Sequence, residues 1–259
     1  MPPQTRGTRR RPLRPGALEF CHGRPRGPRG TTEGVRMGLA EELEIGRGIT
    51  AVIGSGGKTS LLDALARELD GTVVLTTTTH VLPFGCPVLT DADERAVEQA
   101  FWYSRVVCVG TPTGDGSGKL AAPRLKMRTL SVLADYVLVE ADGAAHHPLK
   151  AHADFEPVIP AGADRVVQVV GASGFGQPVA QAVHRPEVFC KLAGCDATDV
   201  ATPELVARAI ATEHARGLRA DVLLVSQMTP QGEKYVRSFE QALRKEGDQT
   251  PMVTWPTLA

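Results

Sequence analysis

No stretch of this 259-residue chain approaches the ~18 consecutive apolar residues of a membrane-spanning helix, so a bilayer is not an expected setting. Cysteine is sparse: the five present, Cys21, Cys86, Cys108, Cys190 and Cys195, are odd in number and contain no C-x-x-C pair. That argues against a secreted disulfide framework and against a zinc site, leaving buried or idle thiols as the expectation. The stretch "TRRRPLRP" is followed by no apolar core, which argues against an export signal. A cytoplasmic protein without a membrane partner is expected.

The formal charge of zero conceals an asymmetry. The first 36 residues hold nine arginines against Glu19 and Glu33, a balance of +7 that leaves the remainder at −7. Six prolines and little apolar surface accompany the arginines, too little to offset the chain entropy lost on ordering. Residues 1–36 are therefore expected to be a disordered basic leader, or to precede a true start at Met37. Neither an amphipathic period nor a series of aromatic residues accompanies the basic charge, so nucleic acid is not an expected partner.

From residue 37 to 259 short apolar runs alternate with helical patterns, the signature of a single α/β domain with a mainly parallel sheet flanked by helices. Strands are predicted at 49–53, 72–75, 105–110, 136–143, 165–171 and 220–227, with a short final one in "PMVTW". Leu61, Leu65 and Leu69 share one helical face, and residues 93–103 read as a second helix. Thr202 followed by Pro203 is a helix start, and Val236, Phe239 and Leu243 anchor a last helix.

Behind the first strand stands "GSGGKTS". A phosphate-binding loop needs glycines so that consecutive amides can face oxyanions, a lysine to neutralise charge, and a hydroxyl to hold magnesium. Gly54, Ser55, Gly56, Gly57, Lys58, Thr59 and Ser60 supply these in order, between a strand and a helix. The longer G-x-x-x-x-G-K-[ST] spacing fails, because Val52 stands where its first glycine belongs. What remains is the shorter G-x-x-G-K-T form that also occurs in Mur-type ligases. ATP or GTP with Mg²⁺ is the expected ligand, and a P-loop NTPase-like fold the expected scaffold.

"VLVEADG" places Glu140 and Asp142 at the end of a buried strand, two residues apart and hence on one side. Both are candidate catalytic residues and magnesium ligands. "LTTTTH" ends another strand, where ligands bind in open α/β sheets; Thr78 is a further candidate magnesium ligand, and His80 is either structural or in contact with substrate. His146, His147 and His152 lack the spacing of a metal set. Lys150 is a candidate catalytic cation, able to stabilise transferred charge.

"VIGSGGKTSLL", "VLTTTTH", "VLVEADGAAHHPLKAHADFEPVIP" and "VHRPE", in this order, resemble the YqeC family of bacterial proteins, named as selenium-dependent hydroxylase accessory or selenium cofactor biosynthesis proteins. The resemblance implies a P-loop NTPase-like fold and a role in maturing selenium-dependent molybdenum hydroxylases, with the molybdenum cofactor and an apo-hydroxylase as partners. It also covers Arg185 and Glu187, without assigning them a role. After "DVLLV", Ser226, Gln227, Met228 and Thr229 stand where a GTPase has its guanine-reading N-K-x-D, which favours ATP. Three functions remain open: a Mg²⁺-dependent NTPase, a nucleotide-gated cofactor chaperone without significant turnover, and a Mur-like ATP-dependent ligase, the last disfavoured without that family's large additional domains.

Overall fold

The computed structural model describes residues 37–228 and 232–256, so the segment read as a basic leader, with Cys21, lies outside the described residues. The strands are β1 (Gly48–Gly54), β2 (Val73–Thr77), β3 (His80–Val81), β4 (Val88–Thr90), β5 (Val106–Pro112), β6 (Leu120–Ala121), β7 (Tyr136–Glu140), β8 (Leu149–Lys150), β9 (Arg165–Gly171), β10 (Val183–His184), β11 (Val222–Ser226) and β12 (Met252–Thr254). The helices are α1 (Leu39–Glu42), α2 (Lys58–Glu68), α3 (Glu94–Ala100), α4 (Met127–Leu133), α5 (Val179–Ala182), α6 (Pro186–Ala193), α7 (Pro203–Ala215) and α8 (Gly232–Lys245).

The main sheet runs in the order β12, β11, β9, β1, β7, β2, β5, β6, β3, with β4 paired to β5. Every pairing in it is parallel except those of β6, which runs antiparallel to β5 and β3. β8 and β10 form a separate parallel pair. The expected α/β architecture, a mostly parallel sheet flanked by helices, is what the chain adopts.

Alternation along the central strands decides which helix covers which face. Val52 of β1 and Leu138 of β7 join Leu61, Leu62 and Leu65 of α2 in one apolar layer. Ala51 and Ile53, with Val137 and Val139, face the opposite layer with Val97 of α3 and Leu130 of α4. Farther along the sheet, Leu223 and Val225 of β11 meet Phe189, Val206, Ile210 and Phe239 from α6, α7 and α8. Both faces of β1 and β7 are thus buried, which is why their sequences read as unbroken apolar runs.

β1 is the strand at which the chain order changes direction: β2 lies beyond β7 on one side, β9 and β11 on the other. In open α/β sheets such a switch leaves a crevice at the carboxyl ends of the strands. Among the described residues, no helix is long and apolar enough to cross a membrane.

Candidate functional site

At that crevice β1 hands the chain to α2 through the glycine loop. Gly54, Gly56 and Gly57 all take left-handed φ values, 86°, 97° and 116°. At Gly56 space as well as φ demands glycine, since a Cβ would lie 2.4 Å from the Gly171 Cα and 2.9 Å from the Pro148 carbonyl. Asp142 Oδ2 accepts from the Gly54 N–H at 2.8 Å, and the Val169 carbonyl accepts from Ser55 N–H at 2.9 Å. The Ser226 hydroxyl donates to the Gly56 carbonyl, and the Ser55 hydroxyl to the His147 carbonyl. Beyond these anchors, and among the described residues, the N–H groups of Gly56, Gly57, Lys58, Thr59 and Ser60 have no acceptor; the first bond of α2 runs from Leu61 N–H to the Gly57 carbonyl. Five successive amide donors at a helix N-terminus suit an oxyanion.

Lys58 is buried, with Nζ donating to the Gly54 carbonyl at 2.8 Å. The same ammonium lies 3.0 Å from Asp142 Oδ1 and 4.0 Å from Glu140 Oε1. The Asp142 contact has ion-pair distance without hydrogen-bond geometry. Thr59 Oγ1 donates to Glu140 Oε2 at 3.0 Å. Burial raises Glu140 above the usual carboxyl range, against the opposing pull of Lys58 and Thr59. Thr59 and Glu140 are hard oxygen donors on the cleft wall, the type that holds Mg²⁺ beside phosphate and water.

Asp142 occupies a different position. It is fully enclosed and does not line the cleft. Besides Gly54 and Lys58 it meets His152 Nε2 at 2.9 Å and Lys150 Nζ at 3.4 Å. Burial pushes its carboxyl up, but Lys58, the His152 hydrogen bond and Lys150 outweigh burial and hold the group at about 2. The other nitrogen of His152, Nδ1, lies 3.1 Å from Glu213 Oε1, and its backbone N–H donates to the same oxygen at 2.6 Å. Burial alone would lower His152, yet the two carboxylates raise it to about 9. A line of contacts therefore runs from Glu213 on α7 through His152 and Asp142 to the first amide of the glycine loop.

Lys150, like Asp142, is enclosed. Its Nζ donates to the Gly143 carbonyl and lies 3.1 Å from Glu156 Oε2, which also accepts from Arg185 Nε at 2.9 Å. Lys150 is thus placed behind the acidic turn and absent from the cleft wall. Thr78 also points elsewhere: its hydroxyl donates to the Val158 carbonyl at 2.7 Å, and it is not on the wall. His80, His146 and His147 do line the cleft, while His152 is buried away from them. Among the described residues, no group of three His, Cys, Asp or Glu side chains is arranged to hold a metal.

The cleft has a volume of about 460 Å³ and combines Gly56, Gly57, Lys58, Thr59, Ser60 and Glu140 with the turn 143–147, His80, Val81, Leu82, Lys119 and Gln227. A second hollow of about 320 Å³ shares Gly56, Gly57, Ser60 and Gln227, and adds Asp63, Ala64, Arg67, Ser226 and Trp255. Sequence reasoning brought the loop and Glu140 to one wall but missed the pairing of His152 with Glu213, 61 positions apart. It also passed over Lys119, whose only signal was the preceding "GDGSG".

Comparison with known proteins gives one line of similarity. The family described as "YqeC protein" matches residues 50–187, which include the glycine loop, the acidic turn, Lys150, His152 and Arg185. The Escherichia coli (strain K12) protein described as "Uncharacterized protein YqeC" is 32% identical over 180 residues, covering 65% of this chain and 69% of that protein. No solved structure matches.

Proposed function

This chain belongs to the YqeC family, and on that footing we propose that it is a P-loop NTPase-like protein that binds a nucleoside triphosphate with Mg²⁺ at residues 54–60 and hydrolyses it. The run of unpartnered amides over residues 56–60, beside the buried Lys58, carries this reading. In it, the loop amides receive phosphate oxygens and Lys58 supplies the compensating charge. Thr59 and Glu140 are the protein ligands of Mg²⁺, which supplies positive charge to the phosphate oxygens when bound. Glu140, the sole acid on the cleft wall among the described residues, also orients the attacking water. Asp142 acts as a positioning residue, fixing the loop through the Gly54 N–H and holding Lys58. ATP is the expected nucleotide, because Ser226, Gln227 and Met228 supply no carboxylate to pair with guanine.

The family resemblance in residues 140–151 extends the proposal to biology: the nucleotide-driven step serves maturation of selenium-dependent molybdenum hydroxylases or their cofactor. A second reading, a nucleotide-gated carrier without turnover, is favoured by the engagement of Glu140 with Thr59, which leaves no other acid among the described residues of the wall to activate water.

Titrating ATP and GTP with and without Mg²⁺, together with phosphate release, tests these readings. Thr59→Ala should abolish the Mg²⁺-dependent part of binding, and Glu140→Gln should slow turnover at least ~100-fold, about 2.7 kcal/mol of barrier. Tight binding with no phosphate release even beside an apo-hydroxylase would select the carrier. Absence of binding to either nucleotide overturns both.

A further inference from the structure

Beyond the glycine loop and Glu140, the cleft is lined by a second group of residues with its own chemistry. β5 and β6 are joined by the glycine-rich loop 113–119, and β6 pairs with β3, so Lys119 and His80 arrive together on the wall of the cleft that the glycine loop also lines. Asp115 braces that connection, accepting from Thr113 Oγ1 at 2.7 Å and from Ser117 N–H at 2.9 Å. The backbone of Lys119 is pinned in turn, its carbonyl accepting from the Thr113 N–H at 3.1 Å. Its ammonium has no carboxylate partner among the described residues, whereas Lys58 and Lys150 are both committed to acids.

In the turn 143–147, which lines the same cleft as Lys119 and His80, Ala145 and His146 hold left-handed φ values of 44° and 63°. Non-glycine residues held in that region are strained, and such residues cluster at ligand sites. The Ser55 hydroxyl, bound to the His147 carbonyl, ties this strained turn to the glycine loop. Among the described residues Glu140 is the sole acid of the wall, so Lys119 and the imidazoles of His80, His146 and His147 line the cleft without a further carboxylate among those residues. The second hollow, with the Trp255 ring and Arg67, provides separate room for the base and ribose of a nucleotide whose phosphates lie on the shared Gly56, Gly57 and Ser60.

We propose that the side of the cleft formed by Lys119, His80 and the turn 143–147 binds a second, phosphate-bearing small molecule, distinct from the nucleotide, with Lys119 as its principal cation. Lysine binds phosphate as a point charge, and the histidines that line the same cleft can add ring N–H donors for further phosphate oxygens. The separation of two ligands rests on the nucleotide reading above; the anion site itself does not.

The probe is inorganic phosphate, titrated calorimetrically into the full chain saturated with Mg²⁺ and a non-hydrolysable ATP analogue that fills the γ position. Phosphate should still bind, Lys119→Ala should weaken it at least tenfold, and Lys119→Arg should restore most of the loss. Analogue affinity should change less than twofold in both variants. Exclusion of phosphate by the analogue, equal weakening of both ligands, unchanged phosphate binding in Lys119→Ala, or acetate binding as tightly as phosphate would each overturn the proposal. If the analogue itself does not bind, the nucleotide reading fails alone, and phosphate titration of the bare chain against Lys119→Ala decides the anion site.

Discussion

His152 is flanked by a carboxylate at each ring nitrogen, so at neutral pH it is an imidazolium and both nitrogens donate. Its pKa is raised from about 6.5 to about 9, so the stability it contributes is complete below the lower value and is lost as pH rises through the upper one. Asp142, held at about 2, contributes with the opposite sense: its share is present above about 4 and lost as pH falls toward 2. Urea unfolding should show the wild type weakening between pH 7 and 9.5, and His152→Gln should be less stable at pH 7 with a flatter profile over that interval. Parallel profiles for the two proteins would show that His152 is not charged in the fold. These residues were visible in the sequence but their roles were not. Asp142 and Lys150 stood beside the acidic turn and read as site groups, yet enclosure by Glu156, Gly143 and His152 comes from chain segments whose approach no local pattern encodes.

Among the elements, those with a long apolar period were legible. β1, β7, β9 and β11 fall on the predicted runs, and α7 starts where Thr202 accepts from the Leu205 N–H. The two-residue strands β3, β6, β8 and β10 were not, because pairs of residues have no period and exist as strands only through their partners. The cleft depends on them, since β3 lines it with His80 and Val81, and β6, paired with β3, holds Lys119 beside them. The glycine loop is the element most exposed to substitution. Gly56→Ala places a methyl group against the backbone of Gly171 and Pro148 at a φ that L residues avoid. Thermal unfolding should show a loss of about 1–3 kcal/mol, together with loss of nucleotide binding. Wild-type affinity in the Gly56→Ala variant would mean that the loop is not the phosphate site.

At the scale of the molecule, the residues from Met37 onward form one compact unit with the site on its central strand. Residues 1–36 lie outside the described residues, and their arginine- and proline-rich composition predicts no share in the core. Removing them should leave the melting temperature and nucleotide affinity unchanged, as scanning calorimetry and the same titrations will register.

The unpartnered amides of residues 56–60 have a kinetic signature as well as an energetic one. Protected neither by a helical bond nor by a side chain, they should trade their protons for deuterium within seconds, while Leu61, bonded to Gly57, lags behind. A ligand whose oxygens occupy those donors should slow them selectively. Mass spectrometry of the peptide spanning residues 54–62 thereby becomes a clock that reads occupancy directly, whatever the ligand is and whether or not it is turned over.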